Sequence, residues 1–196
     1  MKIKFFYNQN FMNVIFLTLV PLMISANTVI RALFMSFSLI VVHILFNIAI
    51  TLLHEKLSGA IYEIPAKLGV CIAIPALLCL ILSVIFKAYS LEIINLYIFV
   101  TIAQVLLNTL SDIKYDSLMN NIKSCLPSVI ILSVILIVIC FIREVIGLGS
   151  LFGFTLPLGN LRPIGLFAQT SGGLLLLGIL IALYSLLVKK NEEDER

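Results

Sequence analysis

Long apolar runs separated by short polar segments dominate the chain, and this pattern predicts six membrane-spanning helices. The runs are continuous and lack the two-residue alternation of barrel strands, so helices are the expected spanning element. The predicted spans cover residues 5–30, 32–53, 68–86, 93–111, 124–142 and 163–188. The predicted fold is therefore an all-α membrane protein, a single integral domain over residues 1–196 with a polar tail at 191–196.

Two stretches depart from a simple run of spans. Pro21 lies inside the first apolar run and predicts a kink or break there, because proline removes a helix hydrogen bond. Such a break is tolerated in lipid where other protein covers the freed backbone. Residues 145–161 are uncharged and carry four glycines and a proline. They predict a re-entrant or interfacial connection between the fifth and sixth spans.

Composition and charge support a membrane location and set its orientation. Hydrophobic residues make up 61% and charged residues 12% of the chain, with a mean hydropathy of +1.17, whereas soluble chains carry roughly 25% charge. The net charge of +3 is scattered, which excludes nucleic-acid binding. The positive-inside rule favours cytoplasmic N and C termini. The inner segments would hold Lys2, Lys4, Lys56, Lys67, Lys114, Lys123, Lys189, Lys190 and Arg196, and the outer ones Arg31, Lys87, Arg143 and Arg162.

The Arg-Glu dipeptide Arg143-Glu144 ends the fifth apolar run, and a glycine-rich segment follows it. Ionisable groups beside hydrocarbon pair, snorkel or face a protein interior. From the residues alone, the pair is either an interfacial anchor that ends a helix or a functional element. Gly147 and Gly149 are expected to permit a tight connection directly after it.

His43 and Asn47 stand four residues apart on one face of the second predicted helix. Polar residues at this depth can line a proton or ion path. They can equally form an interhelical hydrogen-bonding pair that holds two helices together. Both interpretations remain open from the sequence.

No catalytic or metal-binding constellation is evident in the sequence. The four cysteines, Cys71, Cys79, Cys125 and Cys140, form no C-x-x-C motif, have no histidine at ligand spacing and are expected to be small buried hydrophobes. His54-Glu55 is not followed by a second histidine, so the zinc-protease signature fails. We predict no catalytic residues and no metal site.

The segment from Arg143 to Phe152, Arg-Glu-Val-Ile-Gly-Leu-Gly-Ser-Leu-Phe, resembles the segment that ends the fifth helix in membrane subunits of Rnf-type and Nqr-type electron-transport complexes. The similarity continues through Leu-Pro-Leu at 156–158 and Arg-Pro-Ile-Gly-Leu at 162–166, and is thinner upstream, at Pro21 and Asn47 among other positions. It implies a non-catalytic subunit of such a complex, of the NqrD/RnfE-like branch, in the cytoplasmic membrane of a bacterium or archaeon.

The resemblance also implies two inverted three-helix repeats, about 1–87 and 88–190, with broken first and fourth helices. A faint echo of residues 53–59 in residues 142–147 is compatible with this arrangement. Chance similarity among apolar segments explains the echo equally well.

In the family, two homologous subunits lie side by side in opposite orientations, and each contributes two cysteines to an iron-sulphur cluster between them. The matching positions here are Val20, directly before Pro21, and a position near Thr109, directly after Asn108. Valine offers no donor atom, and a cluster needs thiolate ligands. Cys71 and Cys79 are a poor substitute, since eight helical residues separate them by about 12 Å of rise. This departure from the family's pattern predicts that the chain binds no cofactor alone.

Partners follow from the same resemblance. They are a homologous six-helix membrane subunit, other subunits of a redox complex that would carry flavin and iron-sulphur clusters, and membrane lipid. The alternative is a small secondary transporter or ion channel that reuses the inverted-repeat scaffold, with which the face formed by His43 and Asn47 is compatible.

Overall fold

A computed structural model of the chain describes residues 9–57, 63–110, 118–152, 154–155 and 164–194. The α-helices are α1 (Gln9–Ser25), α2 (Val29–Leu57), α3 (Glu63–Ile85), α4 (Ser90–Leu110), α5 (Leu118–Arg143), α6 (Gly165–Ala168) and α7 (Thr170–Asp194). A 3₁₀ turn at Lys87–Tyr89 precedes α4, and a π-helical turn at Glu144–Leu148 extends α5. Two short antiparallel strands follow, β1 (Ser150–Leu151) and β2 (Phe154–Thr155), with Ser150 opposite Thr155.

The helices are long and apolar, and the predicted all-α membrane fold is confirmed. Among the described residues, four helices can cross a membrane by length and composition, over Val29–Leu53, Ile64–Ile85, Leu91–Asn108 and Leu126–Leu148. Two shorter apolar helices, Met12–Ser25 and Thr170–Leu186, correspond to the predicted first and last spans. The chain is therefore a multi-pass membrane protein.

The core lies where α1, α2, α4 and α5 meet, and it contains fully buried Leu19, Met23, Val100 and Leu136. Helix α1 packs on α4, and α2 packs on α5. In addition, α3 packs on α4, and α7 packs on α1. If α1, α2 and α3 are exchanged with α4, α5 and α7 in that order, the same four contacts result. The pattern agrees with two inverted repeats, and the repeat with its proposed boundaries remains a prediction.

The helices are interrupted at different places from those expected. Helix α1 continues through Pro21 to Ser25, and the chain leaves the helix at residues 26–28. A proline removes a single backbone donor, and here the helix ends one turn later. Helix α4 was expected to be broken, but it is continuous from Ser90 to Leu110. This stretch contains neither proline nor glycine, so nothing local interrupts it.

The predicted sixth span, residues 163–188, is also interrupted within the part that the structure describes. Gln169 adopts an extended conformation, with φ −79° and ψ 162°, and separates α6 from α7. The predicted connection over residues 145–161 begins as the π-helical turn and the two strands. Its remaining part, at residue 153 and from 156 onward, lies outside the described residues.

Candidate functional site

The end of α5 carries a fully buried cation, Arg143, whose side chain is 0% exposed. Its Nη1 donates hydrogen bonds to the carbonyls of Met23 at 3.0 Å and Ala26 at 2.9 Å, where α1 ends. Its Nε donates to Phe167 O at 3.0 Å and its Nη2 to Ala168 O at 3.1 Å, where α6 ends. The last carbonyls of a helix lack intrahelical partners and carry partial negative charge. The guanidinium satisfies such carbonyls at two helix ends.

The next residue, Glu144, places an acidic side chain at the beginning of a helix. It is 1% exposed, and its Oε2 accepts a hydrogen bond of 2.6 Å from the backbone N–H of Val29, the first residue of α2. The first N–H groups of a helix need external acceptors and favour negative charge. Arg143 and Glu144 therefore match opposite helix ends, and we call them the Arg143–Glu144 clamp.

Glycines allow backbones to approach closely around the clamp. A Cβ on Gly173 would lie 2.9 Å from Arg143 Nη1, and one on Gly147 would lie 2.5 Å from the backbone nitrogen of Ala168. A Cβ on Gly172 would overlap the backbone of Leu166 and Phe167. Side chains at these positions would push the π-helical turn and α7 away from α6, and α7 away from Arg143.

Gly149 ends the π-helical turn in the left-handed region, at φ 62°, and its N–H bonds to Val145 O at 3.2 Å. Glycine adopts this conformation without the steric cost that a Cβ brings. The sequence left open whether Arg143 and Glu144 anchor a helix at the interface. The structure instead buries both side chains among the helix ends.

A second polar group lies between α2 and α4 and consists of His43, Asn47, Gln104 and Asn108, which we call the polar cluster. His43 Nδ1 lies 3.3 Å from Gln104 Oε1 and 3.2 Å from Gln104 Nε2. Asn47 Nδ2 donates to His43 O at 2.8 Å, and Asn108 Nδ2 donates to Gln104 O at 2.9 Å. The contact between His43 and Gln104 joins α2 to α4, whereas the bonds of Asn47 to His43 O and of Asn108 to Gln104 O stay within one helix.

The polar cluster leaves hydrogen-bonding capacity unused. His43 is 3% and Asn47 1% exposed, and His43 Nε2, Asn47 Oδ1 and Asn108 Oδ1 are buried atoms without a hydrogen-bond partner. Sequence reasoning missed Gln104, although it stands one helical turn before Asn108, as His43 stands before Asn47. That shared spacing is the signal that could have identified it.

The positions that match the family's cysteines lie on α1 and α4. Val20 is 36% exposed, and Thr109 lies in the last turn of α4. Asn108 donates a second hydrogen bond, of 3.4 Å, to Cys71 Sγ. Within the described residues, no group of three or more His, Cys, Asp or Glu side chains is arranged to hold a metal ion. Pro21, the predicted site of helix breakage, is buried within α1.

Long apolar helices and buried contacts between broken helix ends define this chain as a multi-pass helical membrane protein. A protein-family model described as Rnf-Nqr subunit, membrane protein, matches residues 1–181, and the chain belongs to this family. Membership indicates that it works among the subunits of a larger complex. The match does not separate branches of the family, so the NqrD/RnfE-like branch remains a prediction. Comparison with curated proteins finds no match.

Proposed function

We propose that this chain is an integral subunit of an Rnf/Nqr-like, ion-translocating electron-transport complex. It pairs with a homologous six-helix subunit of opposite orientation in a bacterial or archaeal cytoplasmic membrane, and both its termini face the cytoplasm. The observation that carries the proposal is the Arg143–Glu144 clamp. The segment that most resembles the family contains this clamp, which contacts the ends of α1 and α6 and the beginning of α2. The clamp makes the chain a rigid scaffold within the assembly.

The subunit is proposed to be non-catalytic and to bind no iron-sulphur cluster of its own. Val20 stands at the first position matching a family cysteine, and its side chain offers no donor atom. The residues therefore do not fit a cluster held in the family's way. Flavin and iron-sulphur clusters would reside in partner subunits, which this chain would hold in position.

Purification from native membranes in a mild detergent tests this proposal. Mass spectrometry would identify co-purifying chains, and assays for iron, acid-labile sulphide and flavin would be run on the complex and on the isolated subunit. We expect a homologous six-helix subunit and redox proteins in the complex, with no iron or sulphide on the isolated chain. A colourless homo-oligomer would contradict the assembly, and iron with sulphide on the isolated chain would contradict the cluster-free state.

The polar cluster favours a second candidate, a small secondary transporter or ion channel. Its buried acceptors, Asn47 Oδ1 and Asn108 Oδ1, have no protein partner, and polar groups inside a membrane protein commonly mark a solute path. Ion flux into liposomes containing this chain alone tests the candidate. Flux that His43→Leu abolishes would support it, and absence of flux would contradict it.

A further inference from the structure

A cavity of about 250 Å³ lies between the connection from α1 to α2, at residues 26–28, and the first turns of α4. Arg31 is in the first turn of the α2 span, Val29–Leu53, and Glu92 begins the α4 span, Leu91–Asn108. Charged residues at the ends of apolar spans are typical of the membrane boundary. The cavity therefore opens at the depth of lipid headgroups.

Two oppositely charged side chains and one neutral acceptor line the cavity. Arg31 Nη2 and Glu92 Oε1 lie 3.6 Å apart, and their side chains are 39% and 59% exposed. Exposed pairs of this kind contribute little to stability, so a ligand can insert between them at small cost. Asn27 also lines the cavity, and its Oδ1 is a buried acceptor without a partner. The terminal torsion of asparagine is soft, which lets this oxygen turn towards a donor.

One cation facing two acceptors matches a zwitterion that carries both an anion and N–H donors. Guanidinium groups bind phosphate oxygens with their forked donors. A primary ammonium has three N–H donors, which carboxylate and amide oxygens can accept. The volume is below the roughly 300–1,000 Å³ of drug-sized pockets, which suits a headgroup. Ile24, which lines the cavity and is 38% exposed, offers an apolar surface to acyl chains.

We propose that this cavity binds the phosphoethanolamine headgroup of a phospholipid. The phosphate contacts Arg31, and the ammonium donates hydrogen bonds to Glu92 and Asn27 Oδ1. The preference for ethanolamine over choline follows from chemistry, because a quaternary ammonium has no N–H to donate. Anionic headgroups without an amine would place a phosphate near the Glu92 carboxylate with no ammonium between them and would leave the buried Asn27 Oδ1 without a donor.

The test uses the full chain in nanodiscs of phosphatidylglycerol, with phosphatidylethanolamine, its N-methylated forms or phosphatidylcholine added at equal amounts. Native mass spectrometry counts the lipids that each chain retains. We expect retention to favour phosphatidylethanolamine over phosphatidylcholine by about tenfold, the scale of losing charge-assisted hydrogen bonds, and to fall with each added methyl group. Equal retention of the two lipids, or preference for phosphatidylglycerol, would overturn the proposal.

Variants assign the contacts. Glu92→Gln and Asn27→Leu are each expected to reduce the ethanolamine preference severalfold, whereas Arg31→Gln is expected to reduce retention of both lipids, because both carry the phosphate that Arg31 contacts. Lys87→Gln is the matched control, since Lys87 is an exposed cation that precedes α4 but does not line the cavity. Unchanged preference in Glu92→Gln and Asn27→Leu, or unchanged retention of both lipids in Arg31→Gln, would overturn the proposal. If a variant does not fold, the headgroup series on the unaltered chain still decides.

A soluble competitor separates lipid from a free metabolite with the same headgroup. Glycerophosphoethanolamine carries the phosphate and ammonium without acyl chains. The proposal predicts that it leaves the retained lipid in place at matched concentration. Displacement at matched concentration would identify a soluble ligand and contradict the lipid assignment.

Discussion

The Arg143–Glu144 clamp and the polar cluster are both buried in the bundle, yet they differ in charge and in their hydrogen bonds. Arg143 donates to backbone carbonyls of two other helices, and Glu144 accepts from the backbone of a third. The side chains of the polar cluster bond to one another, to backbone carbonyls of α2 and α4, and to Cys71. Three of its polar atoms have no hydrogen-bond partner. Charge is stable in this interior where helix ends supply unsatisfied backbone groups. Neutral side chains between two continuous helices meet few such backbone groups, and the buried acceptors there stay without a partner.

The largest expected effect is that of Arg143→Leu. It removes the donors to four carbonyls and the positive charge next to the buried carboxylate of Glu144, and removing one charge from a buried arrangement costs about 3–5 kcal/mol. We expect lower membrane abundance, lower complex yield and a lower unfolding midpoint in detergent. His43→Leu is the comparison variant and should impair assembly less. Equal abundance and yield for the two variants would mean that the clamp contributes no more to assembly than the polar cluster does.

Two glycines of α7 sharpen the role of close packing at the clamp. In Gly172→Ala the new methyl group meets the backbone of α6, and overpacking of this kind costs about 1–3 kcal/mol. Gly178→Ala is the matched control, because a Cβ there meets nothing within 4 Å. The control should be neutral or stabilise α7 by up to about 1 kcal/mol. Thermal unfolding of both variants measures the difference, and similar midpoints would mean that the contact of α6 with α7 is not tight.

Glu144→Gln isolates the charge of the side chain that accepts from the first N–H of α2. Glutamine keeps an oxygen for the N–H of Val29 but loses the interaction of a carboxylate with the helix N-terminus, which contributes up to about 2 kcal/mol in buried geometry. We expect a smaller decrease of the unfolding midpoint than for Arg143→Leu. A decrease as large as that of Arg143→Leu would show that the charge of Glu144, and not the carbonyl contacts of Arg143, dominates the clamp.

The smallest effect is expected in the polar cluster. His43→Leu strands Gln104 but also removes the unpaired His43 Nε2, so the net cost should be about 1 kcal/mol. The double variant with Gln104→Leu should recover part of this loss, because two apolar side chains leave no partner unsatisfied. A double-mutant cycle from unfolding midpoints measures the coupling. A double variant less stable than the sum of the single effects would contradict this view.

Much of the fold follows from the sequence, because apolar runs of spanning length have few alternatives in lipid. The break at Gln169 could not be read from it, since no proline stands inside residues 164–188. That break depends on contacts with Gly147 and Arg143, which are distant in sequence. We expected a break in α4 from the family resemblance alone, and no proline or glycine in α4 supports one.

The importance of Arg143 could be inferred from the sequence, but its partners could not. Two are main-chain carbonyls 117 and 120 residues away at the end of α1, and two are 24 and 25 residues away at the end of α6. A carbonyl is present at every residue, so the sequence does not single these out. His43 and Asn47 were identified as polar residues within an apolar run. Their partner Gln104 was recoverable from its spacing to Asn108, since both pairs are four residues apart.

Thiol labelling in the two regions tests most directly whether the clamp holds the bundle end closed. Cys140 is buried beside the clamp, with its Sγ 3.4 Å from Ala26 O, and Cys71 is buried beside Asn108 in the polar cluster. Single-cysteine proteins retaining either residue would be treated with a membrane-permeable maleimide. In Arg143→Leu we predict labelling of Cys140 roughly 100-fold faster, the factor that about 3 kcal/mol of lost local stability gives, with Cys71 unchanged. Slow labelling of Cys140 in that variant, or equal acceleration at both cysteines, would contradict the account.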